Sequence, residues 1–257
     1  MKHIIQRYWS VLIPDMPYSC PGFGDIVHSC LLAYQYGRAH GQPATLHIAS
    51  HQYNRDKPEI WAEVLRLFPD NTVHVQHHST KHKTYTDLEF MQLVQNKYPE
   101  AVLHYYKKYP GKLQQVLKPS FYVDEYMANY AQLPGKIPEN PVTLPARFAT
   151  WQVDAGSKGR HLLPEQLDQI RQKFANLGCE IVTVGGEAED PRLRTAAHAG
   201  YAMSRAAYHI GVDSGYMHLA QLYFKPEDIY LYTNKDPGKW LHHLNMARDH
   251  GCRINDY

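Results

Sequence analysis

The segment with the most specific chemistry runs from Gly211 to Ala220 and reads GVDSGYMHLA. A strand is predicted to end in Asp213, Ser214 and Gly215, where a helix is predicted to begin. The free backbone N–H groups at a helix start can hold a phosphate. His218, early on this helix, can face the same ligand, although a single histidine there is also typical of a satisfied, partly buried ring. The whole string predicts a phosphate site.

A second phosphate-binding candidate is the loop of residues 152–160, QVDAGSKGR, which joins a predicted strand to a predicted helix. It carries two glycines, a hydroxyl and the cations Lys158 and Arg160, a combination that suits a diphosphate. It matches neither a Walker A loop nor the Gly-x-Gly-x-x-Gly pattern. A solvated, flexible loop has the same composition, so the sequence leaves both interpretations open.

Two carboxylates stand beside glycines at the ends of predicted strands or turns. Glu187 follows Gly185 and Gly186, where the predicted buried strand Glu180–Val184 ends. A carboxylate there can accept hydrogen bonds from both hydroxyls of a ribose. Asp25 follows the glycine turn at Gly22–Gly24 and can act as the general base that takes a proton from an acceptor hydroxyl. Each has a structural alternative, because Glu187 also suits an exposed turn and Asp25 suits a helix N-cap.

The elements that must position these residues alternate between strand and helix, which predicts an α/β fold with parallel sheets and helices on their faces. The predicted strands are Tyr8–Ile13, Ala44–Ala49, Thr72–Gln76, Arg147–Val153, Glu180–Val184, His209–Val212 and Ile229–Tyr232. The predicted helices are Ile26–His40 with Asp25 as N-cap, Pro58–Phe68, one that opens at Pro164 and is ended by Gly178, Ser214–Leu222 and Pro237–Asp249.

A stretch rich in proline and glycine, Leu133–Pro141, divides the chain. Such a composition is typical of a linker. We therefore predict two α/β domains, residues 1–140 and residues 141–257, which face a common cleft. Ligands of such sheets bind outside the carboxyl ends of the strands, where the candidate residues fall.

Composition argues against several classes of protein. The chain has 257 residues, of which 44% are apolar and 20% charged, so it is too apolar for a disordered protein. Its formal net charge of +2 argues against a general polyanion binder. Residues 1–14 contain no signal-peptide core, and no apolar run approaches the roughly 20 residues that span a bilayer. We therefore expect a cytoplasmic protein without a membrane span.

Neither a metal site nor a redox site is predicted. The four cysteines, at positions 20, 30, 179 and 252, form no Cys-x-x-Cys pair, which favours buried, reduced thiols. The adjacent pairs His77–His78 and His242–His243 direct their side chains apart, so neither forms a two-histidine face that could bind a metal ion.

Two short motifs resemble the paired signatures of family-nine glycosyltransferases, which include the heptosyltransferases of lipopolysaccharide synthesis. They are GDIVH at residues 24–28 and DSGYMHLA at residues 213–220, with a strand ending in Gly-Gly-Glu between them. The resemblance implies the GT-B fold of two Rossmann-like domains, with residues 1–140 for the acceptor and residues 141–257 for the nucleotide sugar. It also implies an inverting, metal-independent transfer of a hexosyl, heptosyl or pentosyl group. The nucleotide sugar is then a substrate, and no cofactor is implied.

The resemblance further implies roles for individual residues. Asp25 would be the base, Lys158 or Arg160 would contact the donor phosphates, and Glu187 would hold the ribose. The remaining donor-site residues that it implies are Gly24, Gly186, Asp213, Ser214, Gly215 and His218.

The acceptor stays open between a glycan and a hydroxymethylated pyrimidine in DNA, which some small bacteriophage glycosyltransferases modify. The chain is shorter than typical family members, and residues 77–130 match no part of the pattern. The basic, aromatic stretch Lys81–Lys118 suits DNA, but a solvated helix face has the same composition. The alternative to an enzyme is a non-catalytic protein that binds a nucleotide or a nucleotide sugar.

Overall fold

The computed structural model describes residues 1–7, 22–49, 58–78, 87–105, 131–154, 162–233 and 253–256. The chain forms two compact units, Met1–Met127 and Ala128–Tyr257. Each unit contains a parallel sheet, so the predicted α/β class is confirmed. Several sequence predictions lie outside the described residues: those for the strand Tyr8–Ile13, the helix Pro237–Asp249, the loop that carries Lys158 and Arg160, the pair His242–His243, and the thiols of Cys20 and Cys252.

The first unit has four described strands in the order β3-β2-β1-β4, and every neighbouring pair is parallel. The strands are β1 (Lys2–Arg7), β2 (Ala44–Ile48), β3 (Val73–His77) and β4 (Val102–Tyr105). The helices are α1 (Phe23–Ala39), α2 (Pro58–Leu65) and α3 (Asp87–Lys97).

The second unit has five described strands in the order β6-β5-β7-β8-β9, again parallel throughout. The strands are β5 (Phe148–Gln152), β6 (Glu180–Thr183), β7 (Tyr208–Val212), β8 (Ile229–Thr233) and β9 (Arg253–Asp256). The described helices are α4 (Pro164–Asn176), α5 (Ala196–Met203) and α6 (Gly215–Ala220), and short 3-10 helices span Pro191–Arg194 and Pro226–Asp228.

The packing of the second sheet follows from strand order. Strand β5 is buried at every position because β6 and β7 flank it, and Trp151 joins Ile170 and Phe174 of α4 in the core. Strand β6 was predicted to be buried, but it is only half-buried because it lies at the edge of the sheet. Gly178 ends the α4 region with a φ of +69°, as its predicted role as a helix terminator requires.

Helix α1 starts earlier than the sequence suggested. Its N-cap is Gly22, and Asp25 is the third residue of the helix, so the prediction that Asp25 is the N-cap was wrong. The Asp25 carboxylate accepts a hydrogen bond from the Gly22 N–H at 2.7 Å. The carboxylate therefore reaches back over the first turn, as the acidic residue of a capping box does.

The stretch predicted to be a linker packs on the second unit. The Leu133 N–H donates a hydrogen bond to the Leu222 carbonyl at 2.7 Å, and Leu133 itself is buried. The backbone at Gly135 passes so close to Ser204 that a Cβ atom there would stand 1.8 Å from the Ser204 hydroxyl oxygen. Farther along, the Arg192 guanidinium donates to the Asn140 carbonyl at 3.1 Å.

The first unit contains a row of three histidines, His3, His47 and His78, on one face of its sheet. His3 Nδ1 lies 3.0 Å from His47 Nε2, and His47 Nδ1 lies 2.9 Å from His78 Nε2. The row is diagonal, because each step crosses one strand and advances two residues toward the carboxyl edge. Tyr98 stacks on His3 with the ring centroids 3.7 Å apart, and Phe90 of α3 contacts the His78 ring.

Adjacent histidines do point apart, as the sequence predicted. The His77 ring meets the Trp61 ring of α2, whereas the His78 ring meets Phe90 of α3.

Among the described residues, Cys30 and Cys179 are buried free thiols, which confirms the prediction of buried, reduced thiols for these two positions. Across the same part of the chain, none of the helices combines the length and the apolar character that a bilayer crossing needs.

Candidate nucleotide-sugar site

The carboxyl ends of β5 and β7 form the switch point of the second sheet. From β5 the chain passes to β6 on one side, and from β7 it passes to β8 on the other side. The two connections therefore leave in opposite directions above adjacent strands and open a crevice between them. Sequence order alone does not give this strand order, which is what brings the ends of β5, β6 and β7 together.

Asp213 and Ser214 follow β7 directly at this crevice. Both are nearly withdrawn from solvent, with 7% and 8% of their surface exposed. Ser214 is the N-cap of α6, and its hydroxyl donates a hydrogen bond to the Gln152 side-chain carbonyl at the end of β5. The Gln152 amide N–H in turn donates to the Asp154 carbonyl. Gln152 therefore connects the start of α6 to Asp154.

Helix α6 is shorter than predicted. It ends at Ala220 instead of Leu222 and has six residues, fewer than two turns. Its macrodipole is correspondingly small, so an anion here would depend on individual N–H groups at Gly215 and beyond. His218 lies on α6 and is 6% exposed, so it is mostly enclosed by protein.

The Gly-Gly-Glu turn follows β6, the third strand end at this edge. Gly185 has a φ of +89°, a conformation that favours glycine. Its N–H donates to the Leu193 carbonyl, and its own carbonyl accepts from the Ala188 N–H, both at 3.0 Å. Gly186 and Glu187 are exposed at the tip of this closed turn. The Glu187 carboxylate is thus open to a ligand, as a ribose contact requires.

Two residues that the sequence did not single out connect these segments. The Tyr216 hydroxyl donates to the Arg194 carbonyl at 3.1 Å. The Arg194 guanidinium donates to the Ala188 carbonyl through Nε at 3.1 Å and Nη2 at 3.0 Å. The tyrosine ring also packs against Gly185. No sequence signal distinguishes Tyr216 from an ordinary helical aromatic, and only the strand order places it beside Gly185.

The predicted site residues fall into three groups. The second sheet brings six of them to its carboxyl edge: Gly186, Glu187, Asp213, Ser214, Gly215 and His218. Gly24 and Asp25 lie in the first turn of α1 in the first unit. Lys158 and Arg160 lie outside the described residues. Within the ranges that the structure describes, no cluster of His, Cys, Asp or Glu side chains could hold a metal ion.

No family model matches the chain, and no curated protein matches it. Solved glycosyltransferases do share its fold. The glycosyl transferase family 9 protein from Veillonella parvula DSM 2008 has a TM-score of 0.53 and 12% identity, over 100% of this chain and 85% of that one. The dodecameric iron-containing heptosyltransferase TibC in complex with ADP-D-beta-D-heptose has a TM-score of 0.50 and 11% identity, over 92% of this chain and 59% of that one.

A second TibC structure, from enterotoxigenic E. coli H10407, has a TM-score of 0.49 and 12% identity, over 91% of this chain. The chain thus spans 58% and 59% of the lengths of the two TibC chains. Because all identities are low, the likeness shows the fold alone. This chain has the parallel α/β fold that is found in family-nine glycosyltransferases.

Proposed function

We propose that this protein is a glycosyltransferase that binds a nucleotide sugar at the carboxyl edge of the second sheet. The observation that carries the proposal is the convergence at one edge of the Gly-Gly-Glu turn and the Ser214–Gly215 helix start. The fold shared with a family-nine glycosyltransferase supports it. Donor recognition needs a carboxylate for the ribose and N–H donors for the diphosphate, and this edge offers both.

The chemistry assigned to the second unit is stabilisation of the leaving group. A nucleoside diphosphate gains negative charge as the sugar departs, and fixed donors aimed at that charge lower the barrier. The N–H groups at the start of α6 supply donors, while Lys158 and Arg160 supply positive charge. Asp213 and His218 line the same site. These groups provide charge stabilisation without a metal ion or a cofactor.

The base that we assign to the reaction is Asp25. Its carboxylate takes the proton from the acceptor hydroxyl as that oxygen attacks the sugar carbon, which inverts the configuration at that carbon. The capping contact with Gly22 uses one carboxylate oxygen, Oδ2.

Asp25→Asn should abolish transfer and leave donor affinity within about twofold of wild type, because the asparagine carbonyl can still accept from the Gly22 N–H. Transfer is measured as release of nucleoside diphosphate, and donor binding by calorimetry. Asp25→Ala, which also removes the cap, should in addition lower the stability by about 1 kcal/mol. A large loss of donor affinity in Asp25→Asn would assign Asp25 a structural role instead.

The donor is identified by incubating the protein with a panel of nucleotide sugars and recording the melting temperature. A donor at 100 times its Kd should stabilise the protein by about 2.7 kcal/mol. Binding without slow donor hydrolysis or transfer would make the protein a nucleotide-sugar binding protein.

For the acceptor we propose a hydroxyl of a glycan or of a hydroxymethylated pyrimidine in bacteriophage DNA. A DNA affinity that falls steeply with salt identifies the second.

A further inference from the structure

Tyr216 joins the two halves of the proposed donor site. It is the second residue of α6 and follows Gly215 directly, so its backbone belongs to the proposed diphosphate-binding segment. Its side chain leaves that segment and reaches the turn after β6. The hydroxyl donates to the Arg194 carbonyl at 3.1 Å. One residue thus contacts both the helix start and the turn that carries Glu187.

The contact between the Tyr216 ring and Gly185 is close enough to fix the position of the turn. A Cβ atom at Gly185 would stand 3.1 Å from Cε2 and 3.2 Å from Cζ of the ring. The ring therefore occupies the space that a side chain at position 185 would need. Because Gly185 is two residues before Glu187, a shift of the ring is passed to the carboxylate through a short piece of backbone.

Hydrogen bonds hold the segment from Gly185 to Arg194 together as a rigid turn. The Gly185 N–H donates to the Leu193 carbonyl, and the Ala188 N–H donates to the Gly185 carbonyl. The Arg194 side chain adds two hydrogen bonds to the Ala188 carbonyl. Tyr216 contacts this hydrogen-bonded turn at two points, because its ring packs against the Gly185 backbone and its hydroxyl donates to the Arg194 carbonyl.

We propose that Tyr216 is a positioning residue that sets the spacing between the Glu187 carboxylate and the Ser214–Gly215 helix start. It thereby selects donors in which a ribose is joined to a diphosphate. The proposal rests on the proposed function of this edge. A site that recognises a ligand at two points needs both points held within about 0.5 Å, because the ligand's own bonds fix their separation. A ligand without the ribose contacts only the Ser214–Gly215 helix start, so its affinity does not depend on the distance from that helix start to Glu187.

The test compares two probes, a set of ribonucleoside diphosphates (ADP, UDP, GDP and CDP) and inorganic pyrophosphate, by calorimetry. In wild type one ribonucleoside diphosphate should bind more tightly than pyrophosphate. Tyr216→Ala should weaken that nucleotide by at least about tenfold and change pyrophosphate by less than about twofold. Tyr216→Phe, which keeps the ring on Gly185 and loses one hydrogen bond, should weaken the nucleotide by about threefold.

The matched control is Glu187→Gln, which removes the carboxylate charge and leaves Tyr216 unchanged. It should produce the same selective loss, and the double variant with Tyr216→Ala should lose no more than the larger single effect, because both act through one contact. A merely structural tyrosine would weaken both ligands equally or neither, and either result overturns the inference. Additive losses in the double variant also overturn it.

Folding is followed by circular dichroism, and if Tyr216→Ala does not fold, the selective threefold loss in Tyr216→Phe decides. The failures are distinguishable. Wild-type protein that binds neither probe refutes the proposed function and, with it, this inference. Wild-type protein that binds the nucleotide, with unchanged selectivity in the Tyr216 variants, refutes only the role of Tyr216.

Discussion

Mild acid should destabilise the first unit through the row formed by His3, His47 and His78. The Glu100 carboxylate lies 4.0 Å from His3 Nε2, which favours a proton on that nitrogen. His3 Nδ1 then accepts from His47 Nε2–H, and His47 Nδ1 accepts from His78 Nε2–H. We therefore assign three neutral rings whose hydrogen bonds all point toward Glu100. A proton added to His47 would leave a buried cation between two other imidazoles.

The size of the effect follows from His47, which is fully buried. Burial, with further contributions from His78, His3 and Lys97, lowers the pKa of His47 from 6.5 to about 4. Above pH 6.5 neither the folded nor the unfolded state binds the proton. Between pH 6.5 and 4 only the unfolded state binds it, so stability falls by about 1.4 kcal/mol per pH unit, or about 3 kcal/mol in all.

His3 and His78 also lower the stability of the first unit in acid. Burial also lowers the pKa of His3 and of His78, so both add to the loss in the same acid range. The charged groups that face the row are Lys97, Glu100 and the N-terminal ammonium group, and of these only Glu100 favours a protonated ring at His3. In the second unit, burial lowers the pKa of His209 to about 3, so each unit must be measured separately.

The assay is amide hydrogen exchange of the β2 residues Ala44–Ile48, read by mass spectrometry in a urea series at pH 7, 6, 5 and 4. His47→Gln should flatten the pH dependence by about 3 kcal/mol, because the glutamine amide can bridge both neighbours and does not titrate. His40→Gln, at the exposed end of α1, should keep the wild-type profile. Equal slopes in wild type and His47→Gln would refute the reasoning.

Two further predictions concern packing. Gly185→Ala should destabilise the second unit by about 2–5 kcal/mol, because it combines a left-handed backbone with crowding against Tyr216. Gly178→Ala, with a φ of +69° and open space around it, should cost only the backbone part, about 1–2 kcal/mol, and equal losses in urea unfolding would contradict the crowding. The Cys30 thiol, whose pKa burial raises, should resist a disulfide reagent until the protein unfolds, so fast labelling in native buffer would count against its burial.

Local patterns were sufficient to predict much of the sheet-and-helix order. The apolar run that starts at Ala44 is strand β2, and the breaker Gly178 ends the α4 region because only glycine takes its φ without strain. Strand β1 was not predicted. Its sequence KHIIQR has just two strongly apolar residues, and it is a strand because β2 and β4 pair with it on both sides. That pairing is tertiary, so periodicity does not show it.

In the candidate site, too, local sequence patterns predicted some residues, whereas others depend on the tertiary arrangement. The sequence identified Ser214 and Glu187 from the chemistry of strand ends, and both lie at strand ends in the structure. It did not identify Gln152 or Tyr216 as site residues, because their importance depends on which strands are neighbours. Helix α5 was also missed, because its small side chains in AAHAGYAM give only a weak amphipathic signal.

The packing of residues 131–142 decides where the polypeptide can be cut. Proline-rich composition invites a boundary at residue 141, yet Ala131, Leu133 and Val142 are buried. A recombinant fragment that begins at residue 141 would lose two of these apolar side chains and uncover the surfaces beneath them, which favours aggregation. A fragment that begins at Ala128 keeps residues 131–142. Because side chains of this segment are buried, limited proteolysis of the intact chain should spare it.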